Sequence, residues 1–182
     1  VASILSNLDC AKMSTMHRIL PRLLTAGLAV GAWEAGWWVR RKRLRAAVYA
    51  QAQAAAKCLN RPLVVIGAPD AGATAGPGCG DMTVDLNPSS CPVALQADIT
   101  KPLPFADNSV VAFVSCVLEY VDNLDAAVKE LQRISGGWVY TVRVEPWTLT
   151  SRLYPGTRRR LSAKFIELPA LPTVCSTKDS AR

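Results

Sequence analysis

Apolar residues follow three regimes along the chain. Over residues 23–39 (LLTAGLAVGAWEAGWWV) nearly every position is apolar or small. At about 1.5 Å per residue, a helix of this stretch approaches the length of a membrane span. Residues 46–59 are Ala-rich, which predicts that the helix continues, and Asn60-Arg61-Pro62 ends it. Short apolar runs then alternate with turn residues. Residues 63–66, 83–86, 93–98, 110–114 and 138–145 read as five strands. The first, LVVI, is unbroken, the pattern of a strand covered on both faces. Leu124, Ala127, Val128, Leu131 and Ile134 recur at helical spacing. Asp122 or Asn123 can cap that helix, and Gly136-Gly137 can end it. A shorter helix is expected over 116–121. Strands joined by crossovers predict an α/β fold with a mainly parallel, reduced Rossmann-like sheet and an N-terminal transmembrane or amphipathic helix.

The chain divides on this pattern into an N-terminal segment (1–22), an anchor (23–39), a basic and Ala-rich stalk (40–60), an α/β domain (61–150) and a basic, Pro-containing extended tail (151–182). Of the 182 residues half are hydrophobic, enough for a substantial core, and the net charge is +7. That charge is concentrated in Arg40, Arg41, Lys42, Arg43 and Arg45, and again in Arg152, Arg158, Arg159, Arg160 and Lys164. Such blocks suit membrane lipid or an acidic protein surface. Nucleic acid is not an expected partner, since no recognised motif or interleaved aromatic platform accompanies them. Other protein subunits are expected to dock through the tail and a sheet edge.

Charge also bears on the anchor. Trp33, Trp37 and Trp38 lie where aromatic rings prefer the headgroup layer, and Arg18 and Arg22 can snorkel at the other end. Glu34 opposes insertion by about 2.5–3.5 kcal/mol at a span's centre. Gly27, Gly31 and Ala35 have a spacing that permits close helix packing. Three readings follow: a single-pass anchor, a helix buried on protein or lying in the interface, and a mitochondrial-type targeting segment. For a span, the excess of positive charge after it puts the C-terminal domain on the cytoplasmic side of an organellar or virion membrane. Six cysteines (Cys10, Cys58, Cys79, Cys91, Cys116, Cys175) occur without a CxxC pair and beside one histidine, His17, so a metal site is not expected. Cys79 and Cys91 flank one strand and are expected as buried thiols in a reducing compartment.

Candidate chemistry centres on residues 95–121 (LQADITKPLPFADNSVVAFVSCVLEYV). A strand ends in Asp98, a Pro-punctuated loop follows, and a buried strand leads into the short helix. Open α/β sheets build ligand crevices at such carboxyl edges. Together with LVVIG (63–67), TVDLNP (83–88), LDAAVKELQRISGG (124–137) and WVYTV (138–142), this order resembles the class I S-adenosylmethionine-dependent methyltransferases, in particular the type 11 group, over residues 63–145.

The resemblance implies that Gly67 passes the methionine part of the cofactor, that Asp85 holds the ribose hydroxyls and that Asp98 contacts the adenine. Catalytic residues are not implied. The chain also departs from the pattern. Val65 stands where the family has an acid, and Pro69 replaces the central glycine of the G-x-G-x-G loop, removing an N–H donor. The intervals 67–82 and 87–92 are too short or too rich in Gly and Pro for crossover helices. Glu119 reads as a helix-surface or salt-bridge residue. The expected function is therefore a membrane-anchored, methyltransferase-like structural subunit that has lost catalysis and needs no cofactor. The alternative is an active membrane-bound enzyme using S-adenosylmethionine to methylate a small molecule, a lipid or a neighbouring protein.

Overall fold

Parallel pairing accounts for every strand contact among the described residues. The structure, a computed structural model, describes residues 2–67 and 78–142, with side chains from residue 21 onward. Its elements are α1 (Ala2–Leu59), β1 (Leu63–Ile66), β2 (Met82–Asp85), β3 (Ala94–Gln96), β4 (Val111–Ser115), α2 (Leu124–Ser135) and β5 (Val139–Val142). The sheet order is β3-β2-β1-β4-β5. The chain steps outward from β1 to β3, then returns to lay β4 on the other side of β1. Strand order therefore reverses between β1 and β4, where open α/β sheets bind ligands.

Residues Val1–Val39 and Arg40–Arg182 form two compact units. In the second unit, alternation along the strands produces two cores. Val64 and Ile66 of β1 face one core, with Val84, Ala112, Val114, Leu124, Ala127, Leu131 and Ile134. Leu63 and Val65 face the other, with Val111, Phe113, Tyr140 and four α1 residues, Tyr49, Ala52, Ala55 and Ala56. Tyr49 meets Phe113 edge-on, with ring centroids 5.2 Å apart. α2 covers the first face as its periodicity predicts. Its start is capped by Asn123, whose side chain accepts from Ala126 N, and Gly136 ends it in the left-handed conformation.

Several expectations are corrected. Residues 2–59 form one helix, continuous as expected from 23–39 through 46–59, and its C-terminal part covers the second sheet face. No helix among the described residues is long and apolar enough to cross a membrane. The transmembrane span expected over 23–39 is thus unsupported: glycines, alanines and tryptophans dilute its hydropathy, and Glu34 adds a charge. Residues 116–121 form turns, not a helix, because Cys116 adopts φ 56° at their start. Glu119 is buried rather than on a helix surface. Cys79 and Cys91 form a disulfide, with Cα atoms 5.8 Å apart, well inside bridging distance. Cys58 is disulfide-bonded too, while Cys116 is free. No helix lies between β2 and β3 or between β3 and β4. The tail and the end of the fifth expected strand, 143–182, lie outside the described residues, as does most of the glycine loop, 68–77.

One polar network fixes the loop before β4. Glu130 Oε1 accepts from Leu103 N at 2.6 Å, and Arg133 grips both Glu130 oxygens, at 2.9 and 2.6 Å. Arg133 also donates to the carbonyls of Phe105 and Leu103 and to Asp107. A helix thereby supplies the hydrogen bonds that a Pro-rich loop cannot make for itself. Hydrogen bonding from Arg133 leads the causes that hold the Glu130 carboxyl below its ordinary value of 4.5. With the folded value depressed, this stabilisation is complete above the unfolded value and is lost as pH falls through the folded one. Glu130→Ala is expected to lower stability by about 2 kcal/mol at neutral pH by orphaning the Leu103 amide and one face of Arg133. Urea denaturation at neutral pH and below pH 4.5 should show the gap between variant and parent closing in acid.

Candidate functional site

Register decides which residues share the sheet's carboxyl edge. Ile66 pairs with Val84 on one side and Val114 on the other. Asp85 pairs with Gln96, and Ser115 with Val142. Gly67, Asp85 and Ser115 are therefore level, each one residue past that row, on adjacent strands about 4.8 Å apart. Asp98 follows the end of β3 by two residues. The three residues singled out from sequence thus gather along one edge, with Gly67 at the β1/β4 switch.

Gly67 sits at φ 97° and donates its N–H to Val84 O at 2.8 Å. A Cβ here would collide with Val117 Cγ2. Glycine is required on both counts, since this backbone region strains other residues and the space is taken. Asp85 Oδ1 accepts from Asn87 N at 2.7 Å, which turns the chain directly after β2. Its other oxygen takes no hydrogen bond among the described residues. Asp98 Oδ1 accepts from both Thr100 N (2.9 Å) and Thr100 Oγ1 (2.7 Å). Those bonds, the side-chain one foremost, hold its carboxyl below the usual range, with a smaller contribution from Lys101 3.9 Å away. Asp98 is thus ionised at neutral pH and oriented, with Oδ2 turned towards Lys101.

Cys116 joins this edge from the end of β4. Its N–H reaches Val142 O at 2.6 Å. Burial raises the thiol pKa first, Glu119 raises it further, and Arg45 and Arg41 pull against them. This neighbourhood was hidden in the sequence. Arg41 and Arg45 read as part of a basic cluster beside an anchor, yet Arg45 is 7% exposed and lies against the sheet unit. The signal was present as spacing: 41, 45, 49, 52 and 56 make one helical stripe. A cavity of about 530 Å³ opens at the opposite, amino edge of the sheet, lined by Tyr49, Lys57, Arg61 and Asp81 among others. It contains none of the three candidate residues, which lie at the carboxyl edge.

Residues 77–141 match the family model described as a methyltransferase domain. This segment is methyltransferase-like. It is consistent with the class I, S-adenosylmethionine-dependent type, and it holds β2 to β4, α2, most of β5, Asp85 and Asp98. The match begins at Pro77, after β1 and most of the Gly- and Pro-rich stretch that follows it in the sequence. A methyltransferase domain carries the potential to bind S-adenosylmethionine. No curated protein and no solved structure matches the chain.

Gly67 offers the direct structural test. Gly67→Ala is expected to lower stability by about 1–3 kcal/mol through the positive φ and the collision with Val117. Val117→Ala in the same chain should recover part of that loss by removing the obstructing methyl. Thermal melts of both variants measure this; an unchanged melt for Gly67→Ala would contradict the tight packing at the switch point.

Proposed function

We propose that the sheet unit binds S-adenosylmethionine across its carboxyl edge and transfers the methyl group to an acceptor held near the end of β4. The observation that carries this reading is the alignment of Gly67, Asp85 and Asp98 along one edge beside the strand-order reversal. An ionised carboxylate accepts two hydroxyl hydrogen bonds or one from an exocyclic amine, and a glycine without room for Cβ lets ligand atoms approach the backbone. The Asp85 carboxylate suits the ribose, and the oriented carboxylate of Asp98 suits the adenine end. Methyl transfer needs little from the protein beyond positioning, so no general base is assigned.

A second reading is a structural subunit without catalysis. It is supported by Pro69 and Val65 in place of family residues and by the lack of a helix between β2 and β3. Either role is compatible with attachment to a membrane surface. Leu23, Leu28 and Trp33 of α1 are 63%, 75% and 55% exposed, and Arg40 to Arg43 follow at once in the sequence. An interfacial helix with adjacent cationic side chains binds anionic lipid. The Cys79–Cys91 bridge favours an oxidising compartment for the sheet unit over the reducing one expected from cysteine spacing.

Calorimetric titration of the full chain with S-adenosylhomocysteine separates the two roles. Saturable binding is expected, weakened by about tenfold or more, which is 1.4 kcal/mol, in Asp85→Ala and in Asp98→Ala. A folded chain that takes up no ligand would remove the enzymatic reading and leave the structural one.

A further inference from the structure

The Cys79–Cys91 bridge joins a rigid post to the loosest part of the sheet. The chain after Cys79 is held at every step. Gly80 N donates to Tyr49 Oη at 3.0 Å, and a Cβ on Gly80 would meet Leu63 O. Asp81 exchanges two bonds with Leu63: its N–H reaches Leu63 O at 2.9 Å, and its Oδ2 accepts from Leu63 N at 2.7 Å. Thr83 Oγ1, in β2, donates back to Cys79 O at 2.9 Å.

On the Cys91 side the hold is slight. The connection from Leu86 to Val93 contains no helix, and those two residues are 65% and 50% exposed. β3 follows, three residues long, with Ala94 and Gln96 exposed. Among the described residues it lies at the sheet's edge and pairs with β2 alone, at three positions. From Ala94 to Ala97 the chain meets the core only through Leu95 and Ala97, both partly buried. β1, by contrast, is paired along both edges and buried at all four positions. A short ladder with few buried contacts opens locally while the rest of a sheet stays closed. The bridge, between residues 12 apart in sequence, crosses this weak seam and limits how far the opened segment travels. That segment is strung between Asp85 and Asp98, and the bond from Ala97 N to Asp85 O, 2.9 Å, sets their separation.

We propose that the bridge is a redox-sensitive latch on β3. Closed, it fixes Asp98 relative to Asp85; reduced, it lets β3 leave β2, and the ligand is held less tightly. The ligand part rests on the methyl-transfer reading, and the latch itself does not. The reductant is a dithiol. Cys79 is half-buried and Cys91 buried, so the reductant's thiolate attacks the Cys79 sulfur. The S–S bond breaks, its electron pair leaves on the Cys91 sulfur, which takes a proton from water, and a mixed disulfide forms at Cys79. The reductant's second thiol then displaces Cys79. Two electrons and two protons have passed to the protein, which holds two thiols, and the reductant leaves as its own disulfide.

Cys58 belongs to another bridge, so the test uses the full chain carrying Cys58→Ser. Amide hydrogen exchange is followed by NMR with and without dithiothreitol. Reduction is expected to speed exchange about tenfold or more at Ala97, bonded to Asp85 O, and at Thr83, bonded to Val93 O, while Gly67 and Ala112 keep their rates. Replacing the pair, Cys79→Ser with Cys91→Ser, should give the fast pattern without reductant, and dithiothreitol should then add nothing. S-adenosylhomocysteine, titrated calorimetrically into both forms, should bind the reduced one about fivefold more weakly, because its competent state is less populated. An unchanged rate at Ala97, a bridge that stays closed in dithiothreitol, acceleration at Gly67 and Ala112 as well, or equal measurable affinity of both forms overturns the inference. If neither form binds the ligand while Ala97 responds to reduction, the methyl-transfer reading falls and the latch on β3 stands.

Discussion

The burial of β1 on both faces is the constraint on which the sheet unit depends. Leu63, Val64, Val65 and Ile66 are each at most 2% exposed, and the strand is paired along both edges. A strand with two covered faces and two paired edges has one register open to it, since a slip by one residue would exchange its two cores. That register brings Gly67, Asp85 and Ser115 level. The positions along the carboxyl edge are thus consequences of core packing, and the carboxylates there need only short local hydrogen bonds to be aimed.

Each face is closed in a different way. α2 lies on one face and also reaches past it, through Glu130 and Arg133, to hold the 103–107 loop. The other face is closed by the alanine-rich end of α1, while the β2–β3 and β3–β4 connections hold no helix. Small side chains at Ala52, Ala55 and Ala56 let that helix approach the sheet closely, and Tyr49 fills the remaining space against Phe113. The same approach carries Arg45 and Arg41 to the carboxyl edge.

The sequence made much of this legible where periodicity and punctuation are strong. The unbroken LVVI run, the stripe from Leu124 to Ile134 and the Gly136 stop all correspond to observed elements within a residue or two. Asp85 and Asp98 stood out in the sequence as acids at strand ends, and each also accepts a local hydrogen bond that turns the chain. What escaped depended on distant partners. Glu119 gives no local sign of burial, since its place follows from a positive φ at Cys116. The Cys79–Cys91 bridge depends on two strand starts being neighbours, which spacing alone does not fix. Arg45 looked like one more solvated cation until the helix was laid on the sheet. The apolar stretch at 23–39 counted as a span by length, although its glycines, tryptophans and Glu34 keep it below what a membrane core requires.

The central claim is that the ligand crevice lies at the carboxyl edge, where β1 and β4 part. Backbone amide NMR of the labelled full chain during addition of S-adenosylhomocysteine tests it residue by residue. The account predicts shifts concentrated at Gly67, Leu86, Ile99 and Cys116, with the amino-edge residues Asn60, Leu63, Gly80 and Asp81 unmoved. Shifts confined to those amino-edge residues, or a spectrum that does not change, would contradict it.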